Sequence, residues 1–277
     1  MGRKKRVQKI IGALGTLLFI VLVVFPFYWL VLTSFKDPLD IGKIPTQIWP
    51  SRFSIEFYKS VFLNHHIEKY LKNSVITSGG TMLFALVFAF PAAYAFARLP
   101  IPGKSVLRSL ILTVNMFPII AMITSLFVLY KSLNLTNTYW AIIIPSVAVA
   151  LPMAIWTLEA FVKTIPYELE EAAMIDGATR YQVMTKVVAP LAAPGVFTTG
   201  IIVFIGAWNE LMFSLLLITR DSMRTVPVAI SMFPGEFTVP WGDMAAASII
   251  ATIPIVVVVL IFQRWIVSGL ISGGVKG

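Results

Sequence analysis

Residues 245–265 read AAASIIATIPIVVVVLIFQRW, and this stretch decides the class of fold. It carries no charge before Arg264. As a helix it is long enough to cross a hydrocarbon core of about 30 Å. Because no water reaches that core to satisfy free backbone N–H and C=O groups, an apolar run of this length is expected to be helical. The stretch therefore predicts a transmembrane helix.

Other apolar runs of comparable length occur between charged residues along the chain. The composition agrees with a membrane protein, because 58% of the 277 residues are hydrophobic and 13% are charged. The strands of a membrane β-barrel would instead alternate with a period of two. We therefore predict an all-α integral membrane protein with six transmembrane helices. The predicted spans are Ile10–Leu32, Ser74–Ala97, Leu110–Tyr130, Trp140–Phe161, Val196–Ile218 and Ala245–Trp265.

Basic residues before the first span indicate the orientation of the chain. Arg3–Arg6 precede an apolar run that is too long for the h-region of a cleavable signal peptide. Lysine and arginine favour the cytoplasmic side, and the first span usually dominates, so residues 1–9 are expected there. An even number of spans returns the tail, residues 266–277, to the same side. Residues 36–72 and 219–243 then form outer loops of a single membrane domain, although the first of these loops is itself partly basic.

Several classes of function are disfavoured by the composition. The net charge of +9 is scattered at span ends and does not line one surface, which disfavours nucleic-acid binding. There is no cysteine, so disulfides, iron–sulfur clusters and thiolate chemistry are excluded. His65 and His66 are adjacent on a loop, where we expect solvated side chains and no metal site. Gly103–Ser105 resembles the end of a phosphate loop, but Arg98 stands where the first glycine is required.

The segment 163–190, between the fourth and fifth predicted spans, is predicted to form two short helices. Pro166 suits a first helical turn, the acids after it favour a helix N-terminus, and Asp176-Gly177 ends the helix. A second helix is expected at about Thr179–Val188, before Pro190. Such a segment is either a docking surface for another protein or an amphipathic connector on the membrane. The small apolar face of the first helix consists of Leu169, Ala172, Ala173 and Ile175.

A motif in this segment resembles the EAA loop of ABC-importer permeases. Glu171-Ala172-Ala173, three residues, Gly177, nine residues, then Val187-Val-Ala-Pro190 follow that pattern, with Val187 in place of Ile and Ala189 in place of Leu. The resemblance implies a cytoplasmic coupling helix seated in a cleft of a separate ATPase. ATP and Mg would then bind to that partner, and this chain would be neither an enzyme nor a cofactor-binding protein. The coupling residues are expected to be Glu170, Glu171, Ala172, Ala173, Asp176 and Gly177.

Further stretches resemble the carbohydrate branch of these permeases, particularly the second permease of maltose and maltodextrin importers. They are Phe25–Lys36, Trp208–Glu210, Trp241–Ala247 and Gln263–Gly277. The resemblance implies import of maltose or maltodextrin across the cytoplasmic membrane, with another oligosaccharide or a polyol as the alternative. It also implies three partners: a second homologous permease, an ATPase dimer and an extracytoplasmic solute-binding protein. The tail residues that it assigns to the ATPases are Gly273, Gly274, Val275, Lys276 and Gly277.

The outer segment Phe233–Trp241 combines prolines and a glycine with aromatic side chains. A stiffened loop of this kind keeps apolar surface outside the membrane at little entropic cost on binding. The resemblance implies that it contacts the solute-binding protein, and the alternative is an aromatic anchor among lipid headgroups. The contact residues are expected to be Phe233, Pro234, Gly235, Glu236, Phe237 and Trp241.

Glu210 is an acid that falls well inside a predicted span, where a charge is costly. With Trp208 and Asn209 beside it, Glu210 either lines a sugar path or accepts hydrogen bonds in a structural role. In the maltose importers that the chain resembles, the sugar site lies mostly in the other permease. An ion-coupled secondary carrier is the competing class, but such carriers usually have several intramembrane ionisable groups. An intramembrane enzyme would need a nucleophile with a base, or a metal pair, at that depth.

Overall fold

The computed structural model describes residues 2–114, 116, 118–235 and 238–274, and the regular structure of these residues is helical. The chain divides into two compact units, one of Met1–Glu68 with Ile230–Ile253 and one of Lys69–Ala229 with Pro254–Gly277. The helices are α1 (Gly2–Ser34), α2 (Glu56–Leu63), α3 (Ile67–Arg98), α4 (Lys104–Val114), α5 (Ile119–Ser132), α6 (Trp140–Thr164), α7 (Glu168–Ile175), α8 (Arg180–Gln182), α9 (Ala189–Leu191), α10 (Ala193–Trp208), α11 (Met212–Leu217), α12 (Val226–Ser231) and α13 (Trp241–Gly274).

In the first unit, α1 carries an apolar span and leads into a folded segment that follows Ser34. The most apolar stretch of its span Ile11–Ser34 has no buried residue. After the helix, Lys36 is buried, with its Nζ donating to the Gln47 carbonyl at 2.8 Å and lying 4.5 Å from the ring centre of Trp29. Asp40 accepts from both the backbone and the hydroxyl of Ser51. These contacts give the segment after α1 a definite structure.

The core of the second unit lies where α3, α6 and α10 pack against each other. Ala85, Ala89 and Ala93 recur every fourth residue on one face of α3 and are fully buried. They belong to one cluster with Leu158 of α6 and Val203 of α10. Small residues at such positions let transmembrane helices approach closely, which strengthens their van der Waals packing.

Among the described residues, four helices are long and apolar enough to cross a membrane. They are Ile11–Ser34, Ile67–Arg98, Trp140–Thr164 and Trp241–Gln263, and each overlaps one predicted span. The pair Arg180–Leu191 and Ala193–Trp208, bent by 77°, makes a fifth if it is counted as one span. The prediction of an all-helical membrane protein is therefore confirmed, with four or five candidate spans.

Two of the six predicted spans are not continuous helices. The run Leu110–Tyr130 is divided between α4 and α5, and the run Val196–Ile218 is divided between α10 and α11. Pro118 directly precedes α5, and its extended backbone, with ψ of 112°, is not helical. At the second break, the Glu210 carboxylate accepts a hydrogen bond from the backbone N–H of Phe213, three residues ahead. Apolar length alone does not reveal such interruptions.

Candidate functional site

The predicted helix start and stop signals of the segment 163–190 are present in the structure. Helix α7 ends in a left-handed glycine, Gly177, with φ of 85°. The Gly177 N–H donates to the Met174 carbonyl at 3.1 Å, and the Ala178 N–H donates to the Ala173 carbonyl at 3.0 Å. This pair of bonds is the Schellman arrangement, which satisfies carbonyls left free at a helix end. The glycine of the motif is therefore explained by backbone geometry.

A second helical stretch follows, as predicted, and turns back toward α10. Thr179 and Gln182 form a reciprocal capping box at its start. The stretch then contains a π-helical turn, Val183–Val188, in which the Ala189 N–H donates five residues back to the Met184 carbonyl. Such turns are frequent at functional sites. The helix axis bends by 77° between Arg180–Leu191 and Ala193–Trp208.

The two helical stretches share one apolar cluster on their inner side. Ala173 and Met174 of α7 pack against it while remaining partly exposed. The cluster holds the segment against the ends of α3 and α6. Its buried members are Tyr94, Val162, Ile165, Val183, Val188 and Ala192.

The opposite side of α7 is exposed. Ile175 has 86% of its surface accessible, which is a large apolar exposure for a helix that already has a packed inner side. Leu169 and Tyr181 are also exposed. Of the residues expected to couple to an ATPase, four lie on the exposed surface: Glu171, Ala172, Asp176 and Gly177.

Glu170 differs from its neighbour Glu171, because it is 1% exposed and points into its own chain. Its carboxylate accepts from Arg98 Nε at 2.6 Å and from the Tyr94 hydroxyl at 3.0 Å. Sequence reasoning assigned Glu170 to a partner contact and missed Arg98 and Tyr94. No signal in the sequence indicated this role, because Glu170 is one of three glutamates in the first turn of α7 and its partners lie more than seventy residues away.

A second ion cluster lies on α4 and α6. Glu159 is buried and pairs with Arg108 of α4 and, at 2.7 Å, with Lys163 one turn ahead on α6. The Arg108 side chain also lies over the ring of Phe96. These residues were not singled out from the sequence, because a basic residue near a span end is explained equally well by orientation.

The break after α10 places the predicted path residues in three different surroundings. Trp208 is 2% exposed and packs against Phe204, with ring centres 5.7 Å apart. Asn209 is exposed and donates to the Ile205 carbonyl. Glu210 accepts from the backbone N–H groups of Phe213 at 2.6 Å and Ser214 at 3.1 Å. Both oxygens of Glu210 are thus used at the start of α11, the arrangement of the structural role considered from the sequence.

Beyond α11, the segment 219–225 is fixed by side chains from elsewhere in the second unit. Asn137 Oδ1 accepts from the N–H groups of both Thr219 and Arg220 at 2.8 Å. Asn73 of α3 is 3% exposed, and its amide donates to the carbonyls of Ser222 at 3.0 Å and Arg224 at 2.9 Å. The first part of the predicted outer loop 219–243 is therefore firmly held.

The aromatic segment that was predicted to be an outer loop lies in the first unit beside His65. The rings of Phe233 and His65 stack with centres 3.9 Å apart, and His65 Nε2 lies 3.4 Å from Asp243 Oδ2. His65 is thus half-buried, and the expectation of a solvated side chain is wrong for it, because Phe233 covers its ring. The Gly235 N–H donates to the Thr238 carbonyl at 2.9 Å, which closes a tight loop. Of the expected contact residues, Glu236 and Phe237 lie outside the described residues.

The remaining expected residues belong to the tail. Helix α13 extends to Gly274, so Gly273 and Gly274 are helical. Val275, Lys276 and Gly277 lie outside the described residues. Within the part of the chain that the structure describes, no group of three His, Cys, Asp or Glu residues could hold a metal ion.

Comparison with known proteins identifies relatives over nearly the whole chain. Residues 85–272 match the family described as "Binding-protein-dependent transport system inner membrane component". The chain is 39% identical to the trehalose/maltose transport system permease protein MalG of Thermococcus litoralis, covering 99% of both chains. It is 43% identical to the trehalose transport system permease protein SugB of Mycobacterium tuberculosis, covering 91% of this chain and 92% of that protein.

Solved structures show the same fold at lower identity. A chain of a bacterial ABC transporter that imports the acidic polysaccharide alginate superposes with a TM-score of 0.80 at 19% identity, covering 95% of this chain and 98% of that one. A second structure, of a bacterial alginate ABC transporter in complex with an alginate pentasaccharide-bound periplasmic protein, gives a TM-score of 0.68 at 17% identity, covering 95% of this chain and 94% of that one. The protein therefore belongs to the binding-protein-dependent transport system inner membrane components, as a multi-pass, non-catalytic permease subunit of an ABC transporter.

Proposed function

We propose that this permease imports a sugar, with maltose, trehalose or maltodextrin as the expected substrate. The observation that carries the proposal is the near full-length identity of 39% and 43% to permeases named for trehalose and maltose transport. Uptake of labelled maltose and trehalose by vesicles containing the assembled transporter tests it. Another oligosaccharide or a polyol is the alternative substrate. A relative that is 37% identical and named for sulfoquinovosyl glycerol transport supports this alternative. Absence of uptake for every sugar offered would contradict the proposal.

The exposed side of α7 is the surface that we assign to a separate ATPase. It combines the apolar Ile175 with the exposed Glu171 and Ala172 of the motif. We expect Ile175→Asp to reduce co-purification of the ATPase and uptake together, because a carboxylate would be buried without a partner at the contact. Glu56→Gln, an exposed change on α2 outside the segment 163–190, is the matched control. Normal uptake by Ile175→Asp would contradict the docking role.

We also propose six membrane crossings, of which two are interrupted, with both chain ends in the cytoplasm. The four long helices supply four crossings, and the pairs α4–α5 and α10–α11 would supply the others. The basic residues before α1 support the orientation. Reporter fusions should place residues 36–72 and 219–243 outside and 163–190 inside. An outside signal from a fusion near Glu171 would contradict this topology.

For the outer loop Phe233–Trp241, we propose contact with the solute-binding protein. The Gly235 N–H donates to the Thr238 carbonyl, and 60% of the Trp241 surface is exposed, so the described part of the segment offers apolar surface to a partner. Shortening the loop across Gly235–Val239 should preserve assembly and basal hydrolysis but weaken stimulation by sugar-loaded binding protein. Unchanged stimulation would favour the lipid-anchor alternative.

Energy coupling separates the importer from an ion-coupled secondary carrier. ATP on the partner subunit should drive uptake in vesicles treated with an uncoupler. Uptake that stops with the uncoupler and continues without the ATPase would favour the carrier. The tail residues 273–277 are proposed to reach the ATPases, and their removal should lower uptake while leaving membrane insertion intact.

A further inference from the structure

Arg98 joins three segments at the end of α3. Its Nε donates to Glu170 Oε1 of α7 at 2.6 Å. Its Nη2 donates to the carbonyls of Val162, in the last turn of α6, at 2.8 Å and of Ile165, just beyond it, at 2.6 Å. The guanidinium also lies 5.6 Å from the ring centre of Tyr167. Because the guanidinium is planar and its donors are fixed relative to one another, one side chain sets the mutual positions of these segments.

Burial makes this arrangement energetically demanding. The Glu170 side chain is 1% exposed and that of Arg98 is 11% exposed. Removing two charges from water is costly, and the cost is recovered only where the pair is close and the remaining polar atoms are hydrogen-bonded. Both conditions hold, since Tyr94 donates to the second carboxylate oxygen and the two backbone carbonyls use the other end of Arg98. A shift of α7 relative to α3 would break several of these bonds together.

Helix α3 is also held at its other end. Asn73 donates to the carbonyls of Ser222 and Arg224, and its own Oδ1 accepts from the Tyr139 hydroxyl at 2.9 Å. One continuous helix thus connects the segment carrying α7 with the firmly held segment 219–225. A continuous hydrogen-bonded helix of this kind is a physical route by which displacement at one end reaches the other.

We propose that Arg98 and Glu170 are positioning residues that transmit movement of α7 to α3 and α6, so that ATP hydrolysis on the partner is coupled to transport. Glu170 acts from inside the chain, whereas Glu171 and Ile175 face the ATPase. The inference rests on the proposed docking role of α7. It predicts a specific defect: loss of the link leaves docking and hydrolysis in place but disconnects them from the membrane helices.

The test is the amount of sugar taken up per ATP hydrolysed by the transporter in vesicles with its ATPase, second permease and binding protein. Glu170→Gln removes the negative charge of the pair. Arg98→Lys keeps the positive charge but removes the planar guanidinium, whose several N–H donors reach different acceptors. Each should lower the ratio by about fivefold or more, the range of typical coupling between sites, while the ATPase co-purifies normally. Glu56→Gln, at an exposed position on α2 outside the segment 163–190, should leave the ratio unchanged. An unchanged ratio in Glu170→Gln and Arg98→Lys would overturn the inference. A proportional fall of uptake and hydrolysis in these variants would overturn it as well.

The absence of native cysteine permits a second, independent test. The double variant Arg98→Cys/Glu170→Cys should have a low ratio, and a short bifunctional thiol reagent joining the two cysteines should restore it. Cross-linking without recovery would overturn the inference, even if the single variants fail to assemble. Ile175→Asp separates the two proposals: normal uptake in that variant contradicts docking, whereas impaired uptake there with normal Glu170→Gln contradicts only the transmission role.

Discussion

Glu170 and Glu210 are both glutamates in the second unit, yet their charges are compensated in different ways. Glu170 binds an arginine and a tyrosine that lie more than seventy residues earlier in the chain. Glu210 binds backbone N–H groups three and four residues ahead. The first arrangement ties separate segments together, whereas the second fixes a local interruption of a helix. A carboxylate inside a membrane protein therefore does not by itself indicate a substrate path.

The largest effect is expected from breaking the Glu170 pair. Glu170→Ala should lower the free energy of unfolding by about 3–5 kcal/mol, because it leaves the Arg98 guanidinium buried without its counter-ion. Denaturant unfolding of the purified protein in detergent measures the change. The control Glu168→Ala, at an exposed position on the same helix, should stay within about 0.5 kcal/mol. Equal losses in both variants would contradict a special role of the buried pair.

A smaller effect is expected at Glu210, since no opposite charge is left behind. Glu210→Ala should cost about 1–3 kcal/mol, the penalty for leaving backbone donors unsatisfied. Hydrogen exchange at the amides of Phe213 and Ser214 should accelerate. Glu210→Gln retains one acceptor oxygen and should lose less. If exchange at both amides were unaffected by the alanine, the assignment of Glu210 as a local acceptor would be wrong.

A substitution at Gly177 measures how much the C-terminal end of α7 contributes to stability, separately from the Arg98–Glu170 pair. Gly177→Ala should cost about 1 kcal/mol, because an L-residue is disfavoured in the left-handed conformation that φ of 85° requires. Crowding is not the reason, since no atom lies within 4 Å of the position that a Cβ would take. Gly206→Ala is the matched control, in a helix and equally uncrowded, and should be neutral or stabilising. Thermal unfolding distinguishes the two variants.

The smallest effect is expected at Asp40, in the segment that follows α1. The charge of its carboxylate is compensated by Lys43 and Ser51, which are near it in sequence. Hydrogen bonds from Lys43 and then Ser51 hold the pKa of Asp40 at about 2, below the ordinary 3.8. The contribution of Asp40 to stability is therefore present above pH 3.8 and is lost as the pH falls toward about 2. The protection of the Ser51 amide against hydrogen exchange, relative to the intrinsic rate at each pH, should fall over that interval. Asp40→Asn should abolish this pH dependence of the Ser51 amide. In the unaltered protein, a midpoint near pH 3.8 would contradict the lowered pKa of Asp40.

Much of the fold was predictable because long apolar runs leave few structural alternatives in a membrane. The spans around α1, α3, α6 and α13 follow from length and apolarity alone. The interruptions do not, because they depend on where backbone donors find partners. Glu210 was visible as an unusual acid, but only the structure shows that its oxygens serve the start of α11.

In the candidate site, too, features set by nearby residues were predictable and features set by distant partners were not. Gly177 and Thr179 are local signals, and the boundaries that they predicted agree with the end of α7 and the start of the stretch after it. Pro166 was expected in the first helical turn, but it lies two residues before α7, which begins at Glu168. The orientation of Glu170 is a tertiary property. Helical spacing placed it beside Glu171 but could not say which of the two is buried, because the decisive partner, Arg98, belongs to another helix.

The exposed apolar surface of α1 has a consequence for how the chain enters the membrane during synthesis. Among the described residues, none in the most apolar stretch of this helix is buried. A helix satisfies its own backbone hydrogen bonds, so such a segment is stable in lipid without any neighbour. Helix α1 can consequently leave the insertion machinery before the later helices exist. The interrupted helices that follow need their neighbours, and an already anchored α1 keeps them at the bilayer while those neighbours are made.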